Sequence, residues 1–98
     1  MADVRHIGKL DLKAVIPLLN RHEVARAGLF GSYARGTETK SSDVDILVRF
    51  RGRKTLLDLI GLKQALEDSL RRKVDVLTYK SIHPRLRERV FKEEVRIL

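Results

Sequence analysis

The chain has 98 residues, 43% of them hydrophobic and 35% charged, with a formal net charge of +8 and no cysteine. A single domain over 1–98 is expected at this length, and the apolar content excludes a disordered chain, which cannot offset the entropy of ordering. Disulfides, thiolate catalysis and sulfur-ligated zinc are excluded as well, since three scattered histidines (His6, His22, His83) do not make up for the missing thiols.

In chain order, Met1–Lys9 carries scattered charge and no apolar stretch of the kind a signal peptide needs. From Leu10 to about Arg21, Leu12, Val15, Ile16 and Leu19 have helical spacing, with Asp11 as N-cap and a kink expected at Pro17. Val24–Phe30 alternates weakly and stops at Gly31-Ser32, and Tyr33–Gly36 is short, which predicts a strand, a tight turn and a brief helical turn. Val44, Ile46 and Val48 alternate with Asp43, Asp45 and Leu47, so the branched residues face the core and both aspartates share the opposite face of a second strand.

Thr55–Leu70 predicts a long helix that begins at a Thr55/Asp58 capping box and buries Leu56, Leu59, Ile60, Leu66 and Leu70. Lys73–Thr78 alternates Val74 and Val76 with Asp75 and Leu77 as a third strand, and His83-Pro84 opens a last helix bearing Leu86, Val90 and Phe91. The order α, β, short α, β, α, β, α implies an α/β (α+β) fold with a small mixed sheet of about three strands flanked by helices. No apolar run approaches the ~20 residues of a bilayer span, so a cytoplasmic setting without membrane contact is expected.

Strand residues two apart stand on one face, roughly 6.6 Å apart along the backbone, so Asp43 and Asp45 can lean toward a shared point. If the Lys73–Thr78 strand lies beside theirs, Asp75 joins them. Bare carboxylates about 5 Å apart repel by roughly 3 kcal/mol at an effective dielectric near 20. A hard divalent cation removes that penalty, and Mg²⁺ favours carboxylate sites that leave positions open to substrate phosphates. A lone Asp-x-Asp is weak evidence, because outward-facing aspartates on an alternating strand are common. A lone Gly31-Ser32 turn is weaker still. Together they are a phosphate cradle at one strand end facing an acid pair on the next strand, a combination suited to a metal-bound triphosphate.

Gly31-Ser32-Tyr33-Ala34-Arg35-Gly36, then Ser42-Asp43-Val44-Asp45-Ile46-Leu47-Val48, then Val74-Asp75-Val76-Leu77 resembles the polymerase-β-like nucleotidyltransferase superfamily in its minimal branch. The resemblance implies that Gly31 and Ser32 contact the phosphates of an NTP. It also implies that Asp43 and Asp45 bind two Mg²⁺ ions and that Asp75 joins the metal site and helps activate an acceptor hydroxyl. Arg35, Lys40 and Ser42 are further nucleotide-binding candidates, with a solvated loop as the alternative for Arg35 and Lys40. Larger family members carry a further domain for the acceptor. The minimal branch pairs instead with a HEPN-domain ribonuclease toxin, which it silences by transferring AMP from ATP to a tyrosine.

The resemblance thus implies an AMP-transferring antitoxin with a HEPN partner and a homo- or hetero-oligomer, and no direct role for nucleic acid. Two other readings stand beside it. One is a catalytically silent module that acts by contact; the other, suggested by the charge, is a basic nucleic-acid binder, whose affinity would fall steeply with salt and ignore Asp75.

Overall fold

The structure, a computed structural model, describes residues 10–39 and 41–98. The readings of Met1–Lys9 as lacking a leader, and of Lys40 as a phosphate contact, lie outside the described residues. In chain order the elements are α1 (Leu12–Arg21), β1 (Val24–Phe30), α2 (Ser32–Arg35), β2 (Val44–Phe50), α3 (Leu56–Leu70) and β3 (Val74–Thr78). A 3-10 turn at Tyr79–Ser81, α4 (Pro84–Glu93) and β4 (Val95–Arg96) complete them.

Among the described residues four strands form one mixed sheet in the order β3-β2-β1-β4. β1 is antiparallel to β2 and to β4, whereas β2 and β3 run parallel, joined by α3 as a crossover. That crossover is the connection a parallel pair requires. β4 adds a strand to the three expected. Two residues give no periodicity to read, and what holds β4 is tertiary: Gly28 pairs with Arg96 and Leu29 with Val95, and Ile97 N donates to Ala27 O at 2.9 Å.

One sheet face carries the main core. Val44, Ile46 and Val48 of β2, Val74 and Val76 of β3, and Val24, Ala27 and Leu29 of β1 pack with Val15 and Leu19 of α1 and Leu62 and Leu66 of α3. The other face is covered only in part, where Ile82 and Val90 close over Leu47 with Phe30 and Tyr79 beside them. Asp43 and Asp45 precede Leu47 on this second face, so the acids occupy its uncovered stretch.

Several local signals act as expected. Thr55 and Asp58 form a reciprocal capping box at the start of α3, and Pro84 occupies the first turn of α4, where the His83 imidazole accepts from Arg85 N at 3.1 Å. Asp11 is the N-cap of α1 but makes no side-chain capping bond, and Pro17 lies inside that helix. The apolar face assigned to α3 needs correction. Leu62 and Leu66 are fully buried and Leu59 and Leu70 pack beside them, while Leu56 is 70% and Ile60 41% exposed. α3 is apolar on more than one side near its start, so periodicity there does not single out the buried face. Among the described residues no helix is long and apolar enough to cross a membrane.

Candidate active site

β1 leads into the site through Gly31, which adopts φ +74°, a backbone conformation that L side chains rarely take. A second constraint acts on the same residue: a Cβ at Gly31 would lie 2.5 Å from Asp45 Oδ2. The turn and the acid are therefore in contact, and only a residue without a side chain lets them meet. α2 follows at once, with Gly31 O accepting from Arg35 N at 3.1 Å and Ser32 O accepting from Thr37 N at 2.9 Å. Gly36 ends it in the left-handed conformation. Ser32 stands half-buried at the first position of α2.

Asp45 and Asp75 are direct partners in the parallel β2–β3 register. Burial raises the pKa of the Asp45 carboxyl above the usual aspartate value; the charges of Asp75 and then Asp43, and a hydrogen bond shared with Asp75, push it the same way. Arg35 acts in the opposite sense. The three acids thus feel one another, as the spacing and the expected strand pairing require. They do not form a closed cage: among the described residues no three acidic or imidazole side chains are gathered tightly enough to hold an ion alone. Asp43 instead faces Lys73, with Nζ 4.0 Å from Oδ2. An open, oxygen-only half-site of this kind suits Mg²⁺, which is commonly held by one or two carboxylates and completed by substrate phosphates and water.

The other candidates divide. Arg35 sits beside the acids, half-exposed, and pairs with Glu93 of α4 at 3.6 Å. The Ser42 hydroxyl is engaged within its own loop, accepting from Thr39 N at 2.8 Å.

Arg72, just before β3, has a structural role at this site. Its Nη1 donates to the Tyr33 hydroxyl and reaches Ser42 O at 3.5 Å, and its guanidinium lies 5.8 Å from the centre of the Tyr33 ring. Tyr33 is 1% exposed. Arg72 thereby ties α2 to the segment entering β2, on either side of the acids. No sequence pattern marks this contact, since the partners are 39 positions apart. Glu67 of α3 serves β3 in a similar way, accepting from Val74 N at 3.1 Å next to Asp75.

The nucleotidyltransferase domain family matches residues 12–98, nearly the whole chain. The chain belongs to this family. It is 52% identical over 86 residues to a Methanocaldococcus jannaschii protein assigned as a protein adenylyltransferase, covering 88% of this chain and 92% of that protein. A solved structure described as a minimal nucleotidyltransferase is 43% identical, covers 88% of each chain and superposes with a TM-score of 0.78. Another, a toxin–antitoxin complex with AMP-PNP, superposes with the same TM-score at 28% identity over 89% of this chain and 72% of that one. The fold is that of the nucleotidyltransferases, and the enzyme class is nucleotidyl transfer.

Proposed function

We propose that this chain transfers AMP from Mg-ATP to a tyrosine hydroxyl of a HEPN-type toxin and thereby serves as its antitoxin. The observation that carries the reading is the in-register pairing of Asp45 with Asp75 directly beside the side-chain-free turn at Gly31. Support for AMP and a protein acceptor comes from the adenylyltransferase relative, and support for a toxin partner from the toxin–antitoxin complex that holds an ATP analogue.

Asp43, Asp45 and Asp75 would hold the metal ions, which when bound would supply positive charge to the triphosphate and to the departing pyrophosphate. Gly31 leaves room for phosphate oxygens against the sheet, with Ser32 at the same turn. Arg35 and Lys40 offer positive charge to the triphosphate. The acceptor oxygen attacks the α-phosphorus, the bond to the β-phosphate oxygen breaks, and Asp75 accepts the acceptor's proton. Holding the partner's hydroxyl in line with the leaving pyrophosphate accounts for much of the rate, since positioning alone can contribute ~7–11 kcal/mol.

Intact-mass spectrometry of the HEPN partner after incubation with the chain and Mg-ATP is the test. Addition of one or more AMP units is expected with the wild type, and at least a ~100-fold slower reaction with Asp75→Asn, the scale typical of a lost general base. An unmodified partner whose ribonuclease is nevertheless silenced would replace this reading with inhibition by contact.

A further inference from the structure

At the far end of the β2–β3 pair the charge pattern is inverted. Arg49-Phe50-Arg51-Gly52-Arg53-Lys54 places four cations in six positions, and the 3-10 turn after β3 brings Lys80 to the same end. A cavity of about 380 Å³ opens between them, lined by Arg49, Arg53, Lys54 and Lys80 over a floor that includes Val48, Phe50 and Tyr79. That is within the roughly 300–1,000 Å³ range of small-molecule sites. Among the described residues no carboxylate contributes to its wall. Lys54 pairs with Glu23 at 3.0 Å, while among the described residues Arg49, Arg53 and Lys80 face no acidic partner.

Both rims are held by the fold. Arg51 N donates to Glu23 O at 2.8 Å, Gly52 turns the loop through φ +68°, and Ser81 Oγ donates to Thr78 O at 2.8 Å. Tyr79 is fixed by a hydrogen bond to Glu94, with Arg26 4.8 Å from its ring centre and Phe91 stacked at 6.0 Å. Arg49 lies four residues along β2 from Asp45, roughly 13 Å, so this cavity is separate from the acid site.

With only Lys54 of the four lining cations given a carboxylate partner among the described residues, the others repel one another, and an anion relieves the repulsion. We propose that this cavity is a second binding site, for a phosphate-bearing ligand of about nucleotide size, supplied as a free polyphosphate or as the backbone of an RNA strand. Its cations are the contacts: Arg53 and Lys80 from opposite rims, Arg49 from the strand between them. A guanidinium matches phosphate oxygens two at a time, which favours phosphate over a monovalent anion.

The test is an amide NMR titration of the full chain in EDTA with sodium tripolyphosphate, repeated with a short single-stranded oligoribonucleotide. Shifts concentrated at residues 49–54 and 78–80 are expected for the preferred source. The affinity should fall about tenfold in each of Arg53→Gln and Lys80→Gln, and change less than about twofold in Arg85→Gln on α4. Tighter binding of the oligoribonucleotide, with a salt slope that drops by about one per removed contact, assigns the backbone as source; tighter binding of tripolyphosphate assigns a free ligand. Shifts gathered instead at Ser32, Asp45 and Asp75, equal losses in all three variants, or no binding of either probe would overturn the second site. All of these outcomes leave the AMP-transfer reading to its own mass-spectrometric test.

Discussion

Asp45 is held at a cost to the fold. Its carboxyl is half-buried, beside Asp75 and within reach of Asp43, and its pKa is raised by burial first and by those two charges next. An acid whose folded-state pKa is raised binds its proton more tightly in the folded chain, so stability falls as pH rises from the ordinary aspartate value, ~4, through the raised one. Asp45→Asn removes that loss. Thermal melts in EDTA are expected to show the variant melting above wild type at pH ~7, with the gap closing toward pH ~4. AMP transfer by the same variant should be lost. A variant that melts at or below wild type at neutral pH would mean that the acids do not strain the metal-free chain. Gly31 carries the companion constraint, since its positive φ and its contact with Asp45 make the turn and the acid one unit.

The elements differ in how far each depends on its neighbours. α3 begins where its own residues place it, at the Thr55–Asp58 box, but its buried side is chosen by α1 and the sheet. Leu62 and Leu66 are 0% exposed, whereas Leu57 is 78% exposed. Leu66→Ala is expected to cost ~2–5 kcal/mol, the range for emptying a leucine-sized space in a packed core. Leu57→Lys should stay within about 0.5 kcal/mol, as for surface changes that break no specific contact. Urea melts separate the two, and similar costs for both would show that the exposed leucine is packed in solution. β4 is the opposite case. It is defined by what Gly28 permits, because a side chain at Gly28 would collide with the Glu94 carboxylate, which bonds Arg26 at 3.1 Å and also holds Tyr79.

At the scale of the molecule, charge is segregated along the parallel strand pair. Acids crowd the β1–β2 turn end, and cations crowd the end where β2 and β3 finish. Thirteen of the 21 basic residues fall in 51–98, consistent with a chain whose net charge of +8 surrounds a local acidic site. Such a field raises the encounter rate with any polyphosphate and weakens with salt. Mg-ATP is expected to raise the melting temperature of the wild type, since a ligand bound only by the folded state at about 100 times its Kd adds ~2.7 kcal/mol. The Asp43→Asn/Asp45→Asn double variant should show no such rise while keeping its fold by circular dichroism. An undiminished rise would move the nucleotide away from the acids.

Much of this molecule is legible in its amino-acid sequence. The alternation of Val44–Val48 determined both a strand and a face for Asp43 and Asp45, because side chains on a strand have a period of two. Thr55/Asp58 and His83-Pro84 determined two helix starts through local hydrogen bonds. The Gly-Ser turn, the Asp-x-Asp pair and the later Asp, in that order, determined the family. Tertiary structure decided what depends on partners far apart in the chain. It set Asp75 opposite Asp45 by pairing β2 with β3 in parallel, gave Arg72 to Tyr33, and chose Leu62 over Leu56 as the buried side of α3. It also added β4 to the sheet edge and brought Lys80 to the basic run after β2. A sequence pattern reports the period of one element, whereas which elements meet, and in what register, is settled by packing and backbone hydrogen bonds across the sheet.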